Sequence, residues 1–200
     1  SFNSGQVRIF EFMDGSWLQK GNSIDNIAEN AASGRRLAMN AAGTIVAVVS
    51  DEVSNGVVRV FEYNAASGSW IRIGDNIVGE ESGDLSGSSV SLSASGLRLA
   101  IGAANNNGKG IDAGHVRIYS LCGSAKKWIL VGSDIDGVEA GGMNGYSVSI
   151  SADGTRVVTG SPLLNNRVGQ IRVFEAGDVP SSQPTSEPTG VPSGDPSAFP

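Results

Sequence analysis

Apolar and polar positions along this chain alternate, or run β-branched, in stretches of four to eight residues bounded by Gly, Asn, Asp or Ser. That is the pattern of short strands joined by turns, since β-branched residues favour the pleated backbone and the bounding residues favour turns. The pattern repeats. A glycine-led stretch occurs four times, as Gly5-Gln6-Val7-Arg8-Ile9-Phe10, Gly56-Val57-Val58-Arg59-Val60-Phe61, Gly114-His115-Val116-Arg117-Ile118-Tyr119 and Gly169-Gln170-Ile171-Arg172-Val173-Phe174. A tryptophan-led stretch follows the first three: Trp17 to Gly21, Trp70 to Gly74 and Trp128 to Gly132. A third type reads Leu37 to Gly43, Val90 to Gly96 and Val148 to Gly154, and a fourth comes directly after it, at Ile45 to Ser50, Arg98 to Ala103 and Arg156 to Ser161.

Four strands make one unit, and the step between units is 53 residues from Trp17 to Trp70 and 58 from Trp70 to Trp128. A period of that size predicts the four-stranded antiparallel blade of a β-propeller. We label the strands A (as in Val90 to Ser93), B (Arg98 to Ala103), C (Gly114 to Tyr119) and D (Trp128 to Gly132). The A-to-B link ends on Gly43, Gly96 or Gly154, where glycine can take the positive φ of a bulged hairpin. The expected fold is therefore all-β, a partial β-propeller over residues 1–176 followed by a disordered Pro-rich tail over 177–200. Strands C and D are present at 5–21, two whole units at 34–132, and A, B and C at 145–175. Propellers close with about four to eight blades. The remaining blades are expected from neighbouring sequence or from another chain.

At Gly145-Tyr146-Ser147-Val148-Ser149, Gly160-Ser161-Pro162 and Gly169 to Phe174 the chain resembles the FG-GAP repeat of integrin α-subunit propellers. The resemblance covers about residues 5 to 175. It looks closest to the divergent FG-GAP-like repeats of secreted and wall-associated algal proteins with Pro-Ser/Thr tracts. It implies an extracellular location, at a cell surface or wall, and a role in adhesion. Integrin repeats of this type often hold calcium in a D-x-D-x-D-G loop between strands A and B. Here that loop is only Ser93-Ala94-Ser95-Gly96 or Ser151-Ala152-Asp153-Gly154. One carboxylate cannot furnish the six to eight oxygens calcium takes. No cofactor and no resident metal are expected, and any calcium binding should be weak.

The tail places Pro180, Pro184, Pro188, Pro192, Pro196 and Pro200 at every fourth residue among Ser and Thr. Such a segment buries too little apolar surface to offset its ordering entropy, which predicts an extended linker or stalk and a candidate O-glycosylated spacer. Unbroken apolar stretches such as Ile45 to Val49 are far short of the ~20 residues of a membrane-spanning helix. With a net charge of −6 and 14 scattered basic residues, the basic footprint of a nucleic-acid binder is missing.

Candidate chemistry is sparse. The one histidine, His115, stands where the other copies have Gln6, Val57 and Gln170, and reads as repeat filler. A single cysteine, Cys122, leaves no internal disulfide and no Cys-based metal cluster. Propeller glycosidases place paired carboxylates on the innermost strand. If strand A is innermost, Ala38 to Asn40, Ser91 to Ser93 and Ser149 to Ser151 offer no ionisable group. The expectation is a non-enzyme: a binding or adhesion module for a protein or glycan, with a structural wall component, or a scaffold piece of a larger propeller enzyme, as alternatives. Arg8, Arg59, Arg117 and Arg172 recur in strand C beside an aromatic residue, and Trp17, Trp70 and Trp128 recur in strand D. Both sets read as structural positions at the blade interfaces. The B-to-C and D-to-A connections share one end of the blades and hold 12 of the chain's 20 acidic residues. Asp51, Glu52, Asp75, Glu80, Glu81, Asp84, Asp112, Asp134, Asp136 and Glu139 form the candidate ligand face, an acidic end suited to a basic partner.

Overall fold

The structure is a computed structural model and describes residues 5–25, 32–50 and 54–175. The proline-rich tail, and with it the stalk reading, lies outside the described residues. So do Asp51 and Glu52 of the candidate face.

Each repeat unit after the first folds as one antiparallel sheet in chain order. The first unit contributes β1 (Gln6–Val7), β2 (Phe10–Met13), β3 (Ser16–Gln19) and β4 (Ile24–Asp25), with β1 paired to β4 and β2 to β3. These are strands C and D, broken at Arg8 and Ile9. The next blade is β5 (Leu37–Met39), β6 (Ile45–Ser50), β7 (Val57–Asn64) and β8 (Ser69–Val78), hydrogen-bonded in that order. Then come β9 (Ser86–Leu92), β10 (Arg98–Ala103), β11 (His115–Cys122) and β12 (Lys127–Leu130), with the short β13 (Ile135–Asp136) also pairing β11. The last sheet is β14 (Ser147–Ile150), β15 (Arg156–Ser161) and β16 (Gln170–Glu175). The fold is an all-β partial propeller of four-stranded antiparallel blades. One element was not expected from the sequence, the short α1 (Leu164–Arg167), in which Asn165 and Asn166 take φ of 52° and 54°. No helix among the described residues is long and apolar enough to cross a membrane.

Strand A is innermost. Its turns stack on one another through Ala41 N–H donating to the Ala94 carbonyl (3.2 Å) and Ala94 N–H to that of Ala152 (2.9 Å). Ile150 N–H also donates to Ser91 Oγ at 3.1 Å. Each A strand ends on a side chain that closes the turn: Asn40 accepts from Ile45 N–H, Ser93 from Arg98 N–H and Ser151 from Arg156 N–H. Short polar side chains suit this local capping of backbone donors. Strand B supplies the core. Val46 to Val49 and Leu99 to Ile101 are buried on both faces, because each blade is covered by its neighbours.

The leading glycine of strand C marks the close approach of two blades. Gly5, Gly56 and Gly114 take φ of 72°, 79° and 74°, and a Cβ there would meet the backbone of Ser33, Ser86 and Asn144 at 2.0 to 2.3 Å. Only glycine satisfies both conditions. The tryptophans of strand D mark a second approach. Trp70 lies against Gly21 of the preceding unit and donates from Nε1 to the Lys20 carbonyl at 2.7 Å, and Trp128 lies against Gly74. Trp17 is exposed, tilted against Phe12 at 5.2 Å between ring centroids.

Candidate functional site

The end of the blades opposite the A-to-B turns gathers the acidic groups of the middle blade, with His115 and Arg117 beside them. Strand β11 sets His115 and Arg117 two residues apart on one face, and β13 pairs back onto it so that Asp136 opposes His115 and Ile135 opposes Val116. Asp134, one residue before, is thereby held over Arg117. The guanidinium makes a bidentate pair with it, Nε and Nη2 each 2.8 Å from a carboxylate oxygen, and Nη2 also contacts Glu80 of the link between β8 and β9. Such forked, charge-assisted pairs are stronger than neutral hydrogen bonds. The link from one blade to the next is thus tied to the middle of strand C.

His115 is buried, with Nδ1 3.6 Å from Asp134 Oδ2. Burial pushes its pKa down, Asp134 opposes that shift, and Arg117 adds to it. The hydrogen bond to Asp134 drives the Arg117 pKa further up, so the guanidinium stays charged. One ligand atom each of Glu80, His115 and Asp134 lies within 4.8 Å of the others, a spacing a metal ion could use. Arg117 Nη2 already bonds both carboxylates, so a divalent ion would have to displace it or share their oxygens with a fixed positive charge.

Beside this cluster Glu80, Glu81, Asn106, Asn107 and Gly108 line a polar cleft of about 330 Å³. Asp84 ties two of these residues together from inside. It is fully buried, and Oδ2 accepts from Asn106 Nδ2 (3.0 Å) and from Glu81 N–H (3.1 Å), while Oδ1 has no hydrogen-bond partner among the described residues.

The acidic face expected from the sequence is accordingly smaller than ten carboxylates. Asp84 does not face solvent, because its carboxyl organises the loop from beneath. Asp75 lies within strand β8, which runs on to Val78 past the end expected at Gly74, so it is not a loop residue. Asp134 and Asp136 are half-buried and engaged, the first by Arg117 and the second on β13 with Lys109 Nζ at 3.8 Å. Asp112 is half-buried and its N–H donates to Asn107 Oδ1. Glu139 is exposed and accepts from Asn165 N–H at 3.3 Å. Glu80, which also contacts Arg117 Nη2, and Glu81 remain as the exposed acids that line one cleft.

The arginines of strand C divide in a way their repeat position did not foretell. Arg8 and Arg172 lie over Phe10 and Phe174, at 5.8 and 5.2 Å from the ring centroids. Arg117 turns to carboxylates instead, those of Asp134 and Glu80. Arg59 donates to Ser50 Oγ at 3.0 Å, and Arg172 to the Asp136 carbonyl of the preceding blade at 2.5 Å. Sequence reasoning treated His115 as filler and passed over Asn105 to Asn107; three consecutive asparagines in a B-to-C loop were the available signal.

No family model matches the chain, and no curated protein sequence does. Solved structures do. A provisionally assigned 6-phosphogluconolactonase from Bacteroides uniformis superposes with a TM-score of 0.57 at 14% identity, over 85% of this chain and 44% of that one. One from Bacteroides fragilis gives 0.57 at 19%, over 85% and 44%. A protein from Lactobacillus plantarum gives 0.50 at 12%, over 85% and 52%. The chain spans less than half the length of the first two. These likenesses fix the fold as that of β-propeller proteins and carry no preference for the integrin type. They also correct the expectation of a non-enzyme: the fold recurs in proteins bearing a lactonase name, so the lack of carboxylates on strand A does not exclude catalysis.

Proposed function

We propose that this chain is the ligand-binding part of a secreted or surface-associated propeller of FG-GAP-like type, taking a basic segment of a protein, or a cationic glycan, in the cleft of the middle blade. The observation that carries this reading is the convergence of Glu80 and Glu81 on one polar cleft whose walls are fixed by Asp84 and Arg117. A rigid scaffold with polar groups at variable loops is the usual build of a recognition site. The extracellular placement rests on the FG-GAP-like repeat residues and the Pro-Ser/Thr run of the sequence. The test is titration of a lysine-rich peptide and of a glucosamine oligomer into the full chain, at low and at physiological salt. Binding should fall with salt, because exposed charges are screened beyond ~8 Å at physiological ionic strength. Glu80→Gln with Glu81→Gln should abolish it, and neutralising Asp14 with Glu62 should not. Equal binding by both double variants would overturn the reading.

A second reading is catalytic, favoured by the buried His115 against Asp134 and Glu80 at the cleft wall, together with the lactonase name of two solved structures. An imidazole kept neutral by burial can act as a base. The charge of the site runs against a phosphorylated substrate, since Glu80 and Glu81 face the cleft and Arg117 is already neutralised by Asp134. A neutral sugar lactone fits better. Hydrolysis of such a lactone by the parent and not by His115→Gln is the expected result, and no turnover above background would end this reading.

A further inference from the structure

The chain contains three Asn-Gly pairs, Asn55-Gly56, Asn107-Gly108 and Asn144-Gly145. We infer that Asn107 is a site of self-catalysed covalent modification: deamidation that turns the rim of the cleft into a three-carboxylate rim. The chemistry needs an asparagine whose amide carbon is reached by the next backbone nitrogen. Glycine at that next position leaves the approach unhindered, having no Cβ.

The surroundings of the three pairs differ in the ways that decide reactivity. Asn144 is fully buried; its Nδ2 donates to the Ile135 carbonyl at 2.8 Å, and its Oδ1 accepts from Thr159 and Ser161. Neither water nor a rotated amide can enter. Asn55 is half-buried, its Nδ2 held by the Gly79 carbonyl at 3.2 Å, and Gly56 is wedged against Ser86. Asn107 and Gly108 are both exposed. Asp112 N–H donates to Asn107 Oδ1 at 2.9 Å, which draws electron density from the amide carbon and would steady the oxyanion formed on attack. Gly108 N–H donates to Asn106 Oδ1 at 2.9 Å, and Asn106 is itself pinned by Asp84. The Gly108 hydrogen bond breaks before the nitrogen turns to Asn107 Cγ, and the exposure of both residues leaves room for the turn; among the described residues no hydrogen bond holds Asn107 Nδ2.

In the first step Gly108 N bonds to Asn107 Cγ, the Cγ–Nδ2 bond breaks, and ammonia leaves with the proton that Gly108 N gives up. Water then opens the five-membered ring at one of its two carbonyls. Cleavage at Cγ gives aspartate; cleavage at the main-chain carbonyl gives isoaspartate. The net change is amide plus water to carboxylic acid plus ammonia, with no redox partner. The new carboxylate stands on the cleft beside Glu80 and Glu81.

The experiment is peptide mapping by mass spectrometry of the full chain, aged in mildly alkaline buffer and, in parallel, in concentrated urea. In buffer, Asn107 should gain the mass of an amide-to-acid exchange, split between aspartyl and isoaspartyl products, with conversion at least tenfold ahead of Asn55 and Asn144. In urea the three sites should convert at similar rates, because the folded surroundings no longer separate them. Gly108→Ala should slow the reaction in buffer. Asn107 remaining intact in buffer while it converts in urea, or Asn55 and Asn144 keeping pace with it in buffer, would overturn the inference.

Discussion

A Cβ placed on Gly74 would lie 2.8 Å from both Trp128 Cδ1 and the Lys126 carbonyl oxygen, so a glycine within one D strand is the seat for the tryptophan of the next. Gly74 also has φ of 72°, in the left-handed region. Gly74→Ala should therefore cost both backbone strain, about 1 to 2 kcal/mol, and the displacement of a ring. Gly123, at φ 70° with nothing within 4 Å, isolates the first effect. Urea unfolding should place Gly74→Ala well below Gly123→Ala in midpoint. Equal midpoints would show that the Trp128 ring yields freely.

The same pair shows how far the sequence was legible. Strands, their order and the antiparallel A-to-B hairpins follow from alternation and period, because each blade repeats one solution to the same packing problem. The pairing of Gly74 with Trp128 is hidden in the repeat until two units are set side by side. The site was less legible. Counting acidic residues in loops cannot tell Glu80, which faces the cleft, from Asp84, which is buried beneath it, since the difference lies in which way the 79–85 link turns over β9. That turn depends on contacts with Asn106, which lies 22 residues on from Asp84.

Arg117 supports the link between blades through Asp134 and Glu80. Arg117→Ala should lower stability by about 1 to 3 kcal/mol, the range for a charged, partly buried hydrogen-bonded group. Arg117→Lys keeps the charge and loses the fork, and should recover only part of that. A thermal midpoint unchanged in both variants would deny Arg117 any structural part.

His115 gives the fold a pH dependence with a definite sign. Burial holds its folded pKa below the 6.5 of the unfolded chain. As pH falls through 6.5 the unfolded chain takes up the proton first, so the stability present above that pH is progressively lost below it. Replacement by Gln, which Gln6 and Gln170 carry at this repeat position, removes the imidazole. Denaturant midpoints of His115→Gln should fall less steeply below pH 6.5 than those of the parent. Parallel curves would place the acid sensitivity elsewhere.

Asp84 and Asn106 occupy the same repeat positions as Gly142 and Leu164, each 58 residues further on. In the middle blade the pair is polar, Asn106 Nδ2 donating to Asp84 Oδ2 at 3.0 Å. In the next it is apolar, and a Cβ on Gly142 would lie 2.9 Å from Leu164 Cδ1. One slot between loop and blade is thus closed in two chemically opposite ways. Asp84→Gly alone takes the acceptor from Asn106 and from Glu81 N–H, and Asn106→Leu alone leaves a buried carboxyl with one donor fewer, each at a cost of about 1 to 3 kcal/mol. Together they rebuild the Gly-Leu closure already used in the next blade. The double variant should be more stable than the sum of the single losses predicts, by ~1 kcal/mol or more, since residues in direct contact couple. The measurement is a double-mutant cycle from urea unfolding of the full chain. Additivity within ~0.5 kcal/mol would mean that the two pairs fill their slots independently, and that the equivalence is one of sequence position only.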